Sequence, residues 1–214
     1  GSAGNRNRQS SHMADGSRDV FVNCAFDADF KPIFDAIVFA TVRSGFRPRA
    51  ALETDDSSES RFAKIQQLIE ECPLGIHDIS RVEAGGTPPL PRFNMPLELG
   101  VFLGAKRFGD TTQKRKRALI LDVERYRYQR FMSDIAGQDI HAHGGDPAVA
   151  ISEVANWLRV YSSAANVPGG KRIAEEYALF CEQLPARLAS LDLHPSDVSF
   201  NDFRSIVSVF VEAI

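Results

Sequence analysis

One carboxylate stands out by its setting. The segment RFNMPLELGVFLGA, residues 92–105, places Glu98 among Leu97, Leu99, Val101, Phe102 and Leu103 near the start of a helical pattern. An acid there is either a structural partner for the helix N-terminus and a nearby arginine, or a group held in a pocket with a shifted proton affinity. Gly100 and Gly104, four residues apart, allow another backbone to approach one face of the same helix.

The other candidates follow from where strands end. In open parallel α/β sheets a ligand sits beyond the carboxyl ends of the strands, near the point where strand order reverses. Asn23, Phe26 and Asp27 follow a first strand, and Arg49 and Glu53 lie by a second. Asp78, Ser80 and Arg81 close a third, Asp122 and Glu124 a fourth, and Arg92, Asn94 and Met95 open the Glu98 helix. Taken singly, such residues are turn formers or helix caps; taken together they converge on one end of a sheet.

The elements that would position them alternate. DVFVNC (19–24) is a short, β-branched run suited to a strand covered on both faces, and Phe30, Ile33, Phe34, Ile37, Val38 and Thr41 form a helical stripe ending near Gly45. A second strand is expected over 48–53, then a helix through Ile65, Leu68 and Ile69, with caps from ETDDSSES. LGIHDIS (74–80) reads as the third strand, VEAGGTPPLPR as a long functional loop, and 95–106 as a helix. ALILDV (118–123) is the clearest buried strand, followed by a helical segment over 126–136 and a short strand over 138–142. Asp146 and Pro147 start a last helix whose stripe includes Val149, Ile151, Val154, Trp157, Leu158 and Tyr161. Five such units predict a doubly wound α/β domain with a five-stranded parallel sheet over residues 13–162.

Residues 166–214 change character. They open with VPGG and read as a C-terminal helical extension with two apolar stripes, one through Ile173, Tyr177, Phe180, Cys181 and Leu184, the other through Phe203, Ile206, Val207, Phe210 and Val211. Neither stripe can be buried alone, so the helices must dock on the α/β body, on each other or on a second subunit, and a homo-oligomer is expected. The first twelve residues, GSAGNRNRQSSH, read as an expression-tag leader.

Composition excludes several classes. Hydrophobic content of 43% and charged content of 25% are ordinary for a globular domain, and the longest apolar stretch, 33–42, contains Asp35 and is far short of a membrane span. A net charge of -3 gives no basis for binding nucleic acid in bulk. The basic run Lys114, Arg115, Lys116, Arg117 is expected to be a solvated strand entrance. Cys24, Cys72 and Cys181 suggest neither a disulfide framework nor a zinc site, which favours a cytoplasmic location. His141, His143 and Asp146 in HAHGGD lack a matched ligand pair, so no metal is expected, and His77 is expected to be buried in its strand. GxSxG, Walker and GxGxxG patterns are absent, and no cofactor is expected.

VFVNCAFD, GIHDIS and FNMPLELGVFLGA together resemble the nucleoside 2-deoxyribosyltransferase and TIR-like group of flavodoxin-like proteins, over roughly residues 19–125. The resemblance implies strand order 2-1-3-4-5, with Glu98 as the glutamate that attacks or stabilises the anomeric carbon of a ribose. Asp78 would orient base or sugar, Phe26 and Asp27 would line the pocket, and Asn94 would reach a ribose hydroxyl. Arg92, Phe93 and Asn94 stand where the transferases carry an acid, a departure that bears on base recognition. Breaking a C1′–N bond passes through an oxocarbenium-like state that one carboxylate can stabilise or trap. Phe26, Phe30 and Met95 would exclude water, and Arg49, Arg81 or Arg92 would hold phosphates. The expected function is therefore an N-glycosidase or glycosyl transferase acting on NAD or a nucleoside or nucleotide, the alternative being a non-catalytic nucleotide-sensing module that works by assembly.

Overall fold

The computed structural model describes residues 18–54, 56–83, 90–162 and 167–214; the leader and the centre of the loop after the third strand lie outside the described residues. Strands β1 (Asp19–Asn23), β2 (Arg47–Arg49), β3 (Leu74–Asp78), β4 (Arg117–Asp122) and β5 (Ile140–Ala142) form one sheet in the order β2-β1-β3-β4-β5, with every pairing parallel. The expected doubly wound, flavodoxin-like topology is present. β1 and β3 are buried along their whole length, as their near-continuous apolar character requires.

Alternation sorts side chains onto two faces. Val20, Val22, Leu74, Ile76, Leu119 and Leu121 face α1 (Lys31–Arg43) and α4 (Pro147–Tyr161). Phe21 joins Ile65, Leu68, Ile69 and Phe102 beneath α2 (Arg61–Glu71) and α3 (Asn94–Phe108). Asp146 caps α4 by accepting from the Ala148 N–H, and Ser60 caps α2 by accepting from Ala63.

The C-terminal helices α5 (Gly170–Ser190) and α6 (Phe200–Glu212) dock on the α/β body, continuous with the α1–α4 core. The Phe39 ring of α1 lies 5.2 Å from Tyr177, 5.3 Å from Phe180 and 5.9 Å from Phe210. An ion pair from Arg43 to Glu176, at 2.7 Å, ties α5 to α1. α6 covers the β2 edge: the Arg204 guanidinium donates to the Pro48 carbonyl and to Glu53, and the Asn201 amide donates to the Glu53 carbonyl. A bare strand edge is a template for aggregation, and this helix removes it.

Three expectations about local structure are corrected. β2 is Arg47–Arg49 rather than 48–53, because the chain turns immediately afterwards. Residues 126–136 form two short 3-10 turns, Arg127–Arg130 and Ser133–Ile135, not one helix; Tyr126 at φ 63° stands outside the right-handed region, and Phe131 and Met132, at φ -135° and -140°, break the chain between the turns. Lys116 is not solvated: it is buried, and its ammonium donates to the Ile69 and Cys72 carbonyls at the end of α2. No helix among the described residues is long and apolar enough to cross a membrane.

Because Phe180 is fully buried against rings from three helices, Phe180→Ala should cost about 3–5 kcal/mol. The extension and the α/β body should still unfold in one transition, measured by urea denaturation followed by both circular dichroism and Trp157 fluorescence.

Candidate functional site

The carboxyl ends of β1, β3 and β4 are held by side chains that arrive from distant loops. Asp78, the last residue of β3, accepts the Ser80 N–H on Oδ1 at 2.8 Å, which turns the chain out of the sheet two residues earlier than the apolar pattern suggests. Its Oδ2 lies 2.9 Å from Nε2 of His143, and Ser80 Oγ lies 2.9 Å from the same nitrogen. His143 Nδ1 accepts the Gly145 N–H at 2.9 Å, so the neutral ring carries its proton on Nε2 and donates it toward Asp78. A nucleophile triad needs serine and aspartate on opposite ring nitrogens. Here both crowd one nitrogen, so Ser80, His143 and Asp78 form a buried structural lock.

Arg127 completes that lock. Its guanidinium donates to the Ile79 and Ser80 carbonyls and to Asp122, joining the ends of β3 and β4. Burial, opposed by Arg127, pushes the Asp122 carboxyl up, and its Oδ2 has no partner among the described residues. Asn23, fully inside, donates its amide to the Met95 carbonyl at 3.0 Å and approaches His77 Nδ1 at 3.0 Å. It therefore fixes the start of α3 to the end of β1. Burial, helped by the Lys116 charge, pushes His77 down to about 3, so it is neutral, with Nε2–H close to Phe102, whose ring centre is 4.8 Å away. A side chain at position 75 would collide with both rings, which is why Gly75 stands there.

Glu98 differs from all of these. It lies one residue beyond the first turn of α3, half-buried, and makes no hydrogen bond or ion pair among the described residues. Desolvation pushes its carboxyl up to about 7, with the Arg61 charge pulling the other way. The reading of Glu98 as a structural partner thus finds no partner. Burial first, then the charges of Asp78 and Glu98, push the Cys24 thiol well up, which places all three around the carboxyl end of β1. Arg61, the first residue of α2, stacks over the Phe26 ring at 5.6 Å.

The remaining expected residues divide. Asp27 caps the Phe30 N–H and pairs with Arg92 at 2.6 Å and Arg81 at 3.1 Å. Against desolvation, the Arg92 bond and the Arg81 charge hold its carboxyl below the usual range. Arg81 and Arg92 remain partly exposed beside the site, and Asn94 is exposed at the α3 start. Phe26 is half-buried, whereas Phe30 and Met95 belong to the core. Arg49 does not join them. Asp19, Glu53 and Glu71 surround its guanidinium at the β2 edge, so it has no charge to spare for a phosphate. A depression lined by Arg49, Glu53, Lys64 and Glu71 lies at that edge, and another beside β5 holds His141 and Glu153; neither contains Glu98.

No family model matches the chain, and no curated protein or solved structure does so either. The chemistry open to the site therefore follows from its own side chains. Among the described residues no group of three or more His, Cys, Asp or Glu could hold a metal ion. What the arrangement offers is one carboxylate of raised proton affinity, an aromatic face capped by a cation, and two further arginines on the rim. Arg61, His143 and Arg127 were not singled out as site residues from sequence; only the capping position of Arg61 after ETDDSSES could have pointed to it.

The raised proton affinity of Glu98 has a consequence for stability. Its folded-state value of about 7 lies above the ordinary 4.5, so folding is favoured by protonation, and that contribution is present in full below 4.5 and lost as pH rises through 7. Glu98→Gln should therefore leave stability nearly unchanged at acid pH. Above neutrality it should raise stability by about 1–2 kcal/mol, after allowance for the partial exposure of the group, read from urea midpoints across that pH range.

Proposed function

We propose that the chain is an N-glycosidase or glycosyl transferase acting at ribose C1′ of NAD or of a nucleoside or nucleotide, with Glu98 as its catalytic carboxylate. The supporting observation is a half-buried glutamate without a partner at the carboxyl end of a parallel sheet. Leaving an ionisable group partly desolvated and unpaired destabilises a fold, and such groups concentrate where a charge must act on something that arrives. The likeness of VFVNCAFD, GIHDIS and FNMPLELGVFLGA to the deoxyribosyltransferase and TIR-like group supports the same reading.

The chemistry runs as follows. The C1′–N bond breaks and its electron pair leaves with the base, while positive charge grows on C1′ and the ring oxygen. The Glu98 carboxylate faces that charge, either stabilising it or bonding to C1′. Water, or the hydroxyl or nitrogen of an acceptor, then attacks C1′, expelling the Glu98 carboxylate where it has bonded there, and the proton it loses goes to solvent or, where the base has left as an anion, to that base. Phe26, with Arg61 over its ring, offers a stacking face for the base, and Asn94 lies one turn before Glu98, within reach of a sugar hydroxyl. Arg81 and Arg92 attract phosphate, which must compete with Asp27 for them. Asp78, locked to His143, acts by positioning the end of β3 rather than by touching the sugar.

Incubation with NAD, nucleosides and nucleoside monophosphates should release free base detectable by chromatography, and Glu98→Gln should lower the rate by at least about 10²–10³-fold. Because the ionised form acts, kcat/KM should rise with pH to a plateau above about 7 in wild type. Saturable nucleotide binding with no base released from any of these substrates would instead identify a sensing module.

A further inference from the structure

We propose that the outward face of α3 is a self-association surface, on which a second copy of this chain packs its own α3 in antiparallel orientation across Gly100 and Gly104. α3 buries Met95, Leu99 and Phe102. On the opposite side of the helix, at spacings of three and four, run Phe93, Leu97, Gly100, Gly104 and Phe108. Phe93 is 63% exposed, Leu97 55% and Phe108 86%. Glycine is a poor residue for a helix interior because it loses the most backbone freedom. A Cβ added to Gly100 or Gly104 would meet no atom within 4 Å among the described residues. Packing among the described residues explains neither glycine, and the close approach of an outside helix would use the gap at each.

The spacing selects a second copy as the occupant. Reversed end for end about a point between Gly100 and Val101, Phe93 falls opposite Phe108 of the second copy, Leu97 opposite its Gly104, and Gly100 opposite its Val101 beside the two-fold axis. A projecting side chain thus meets a gap left by a missing one, twice over, as a two-fold interface demands. The same reversal brings Asp110, which has no ion-pair partner among the described residues, toward Arg92 of the second copy, which also pairs with its own Asp27, while Arg107 faces its Asn94. Two phenylalanines at roughly 150–250 Å² each when fully buried, with Leu97 and the 64%-exposed Leu90, offer about 400–500 Å² of apolar surface per chain. Doubled and extended by the flanking helix surface, that reaches about 1,000 Å², the lower limit for a specific dimer. The C-terminal helices are poorer candidates, since their stripes are already spent on α1.

Sedimentation equilibrium of the full chain from about 1 to 300 µM should show a reversible monomer–dimer exchange. Leu97→Glu, at an exposed position, and Gly104→Leu, at a half-buried one where an added Cβ has open space, should each weaken it at least tenfold. Gly100→Ala combined with Gly104→Ala separates folding from assembly: it should raise the melting temperature of dilute protein by about 3–8 °C and still weaken the dimer. Gly100→Cys in a Cys181→Ser background, which removes the exposed native thiol, should give a covalent dimer on oxidation. A chain that stays monomeric throughout the range overturns the proposal. So does a dimer indifferent to both Leu97→Glu and Gly104→Leu.

Discussion

The carboxyl ends of the strands are tied together by side chains because the backbone alone cannot satisfy them. A parallel strand that stops leaves carbonyl and amide groups pointing past the sheet, and in the interior each must find a partner. Arg127 supplies three donors to the ends of β3 and β4, Asp78 captures the turn behind it, and His143 crosses from the end of β5 to hold that carboxylate. Asn23 does the same for β1 and α3. These bonds are buried and largely charge-assisted, so they resist displacement far better than exposed pairs do. They make a rigid floor from which α3 projects.

Against that floor the isolation of Glu98 acquires meaning. The other buried or half-buried acids at the strand ends are matched at least in part: Asp27 by two arginines, Asp78 by a histidine and an amide, Asp122 on one oxygen by Arg127. Glu98 feels only the distant attraction of Arg61, and burial outweighs it. Among these half-buried and buried acids, Glu98 is the one with neither carboxylate oxygen matched by a described residue. A cation forming on a bound molecule would restore the balance, since it would favour the ionised carboxylate that the empty site disfavours.

Most of the frame could be read from the chain, and the reasons are local. β1, β3 and β4 announce themselves because strands buried on both faces must be almost continuously apolar; α4 does so through Asp146 followed by Pro147. β2 is harder to read, having only three residues, and the pairing of its last residue, Arg49, is not legible because the carboxylate partners Asp19 and Glu71 come from other elements. The same limit applies to the lock itself: Arg127 reaches carbonyls 47 and 48 residues away, and His143 an aspartate 65 residues away. No local pattern encodes such contacts. Lys116 misled for a related reason, since a basic run reads as solvated unless one knows that a helix ends above it. Glu98 was legible because an acid inside an apolar helical run breaks the pattern at a single position.

α3 joins the two unusual features of the molecule. Its inner side carries Leu99 and Phe102 into the core, its edge carries an acid unpaired among the described residues, and its outer side carries two largely exposed phenylalanines and two glycines. A helix held only by its own propensity would not tolerate two interior glycines and an unpaired, partly buried charge. This one is anchored at its start by a tertiary bond, the Met95 carbonyl accepting from Asn23, and is closed by its own Gly109 N–H donating to the Ala105 carbonyl. Anchoring of that kind moves the burden of stability from the helix sequence to its surroundings, which frees the outward positions to be chosen for contact and the edge position for chemistry.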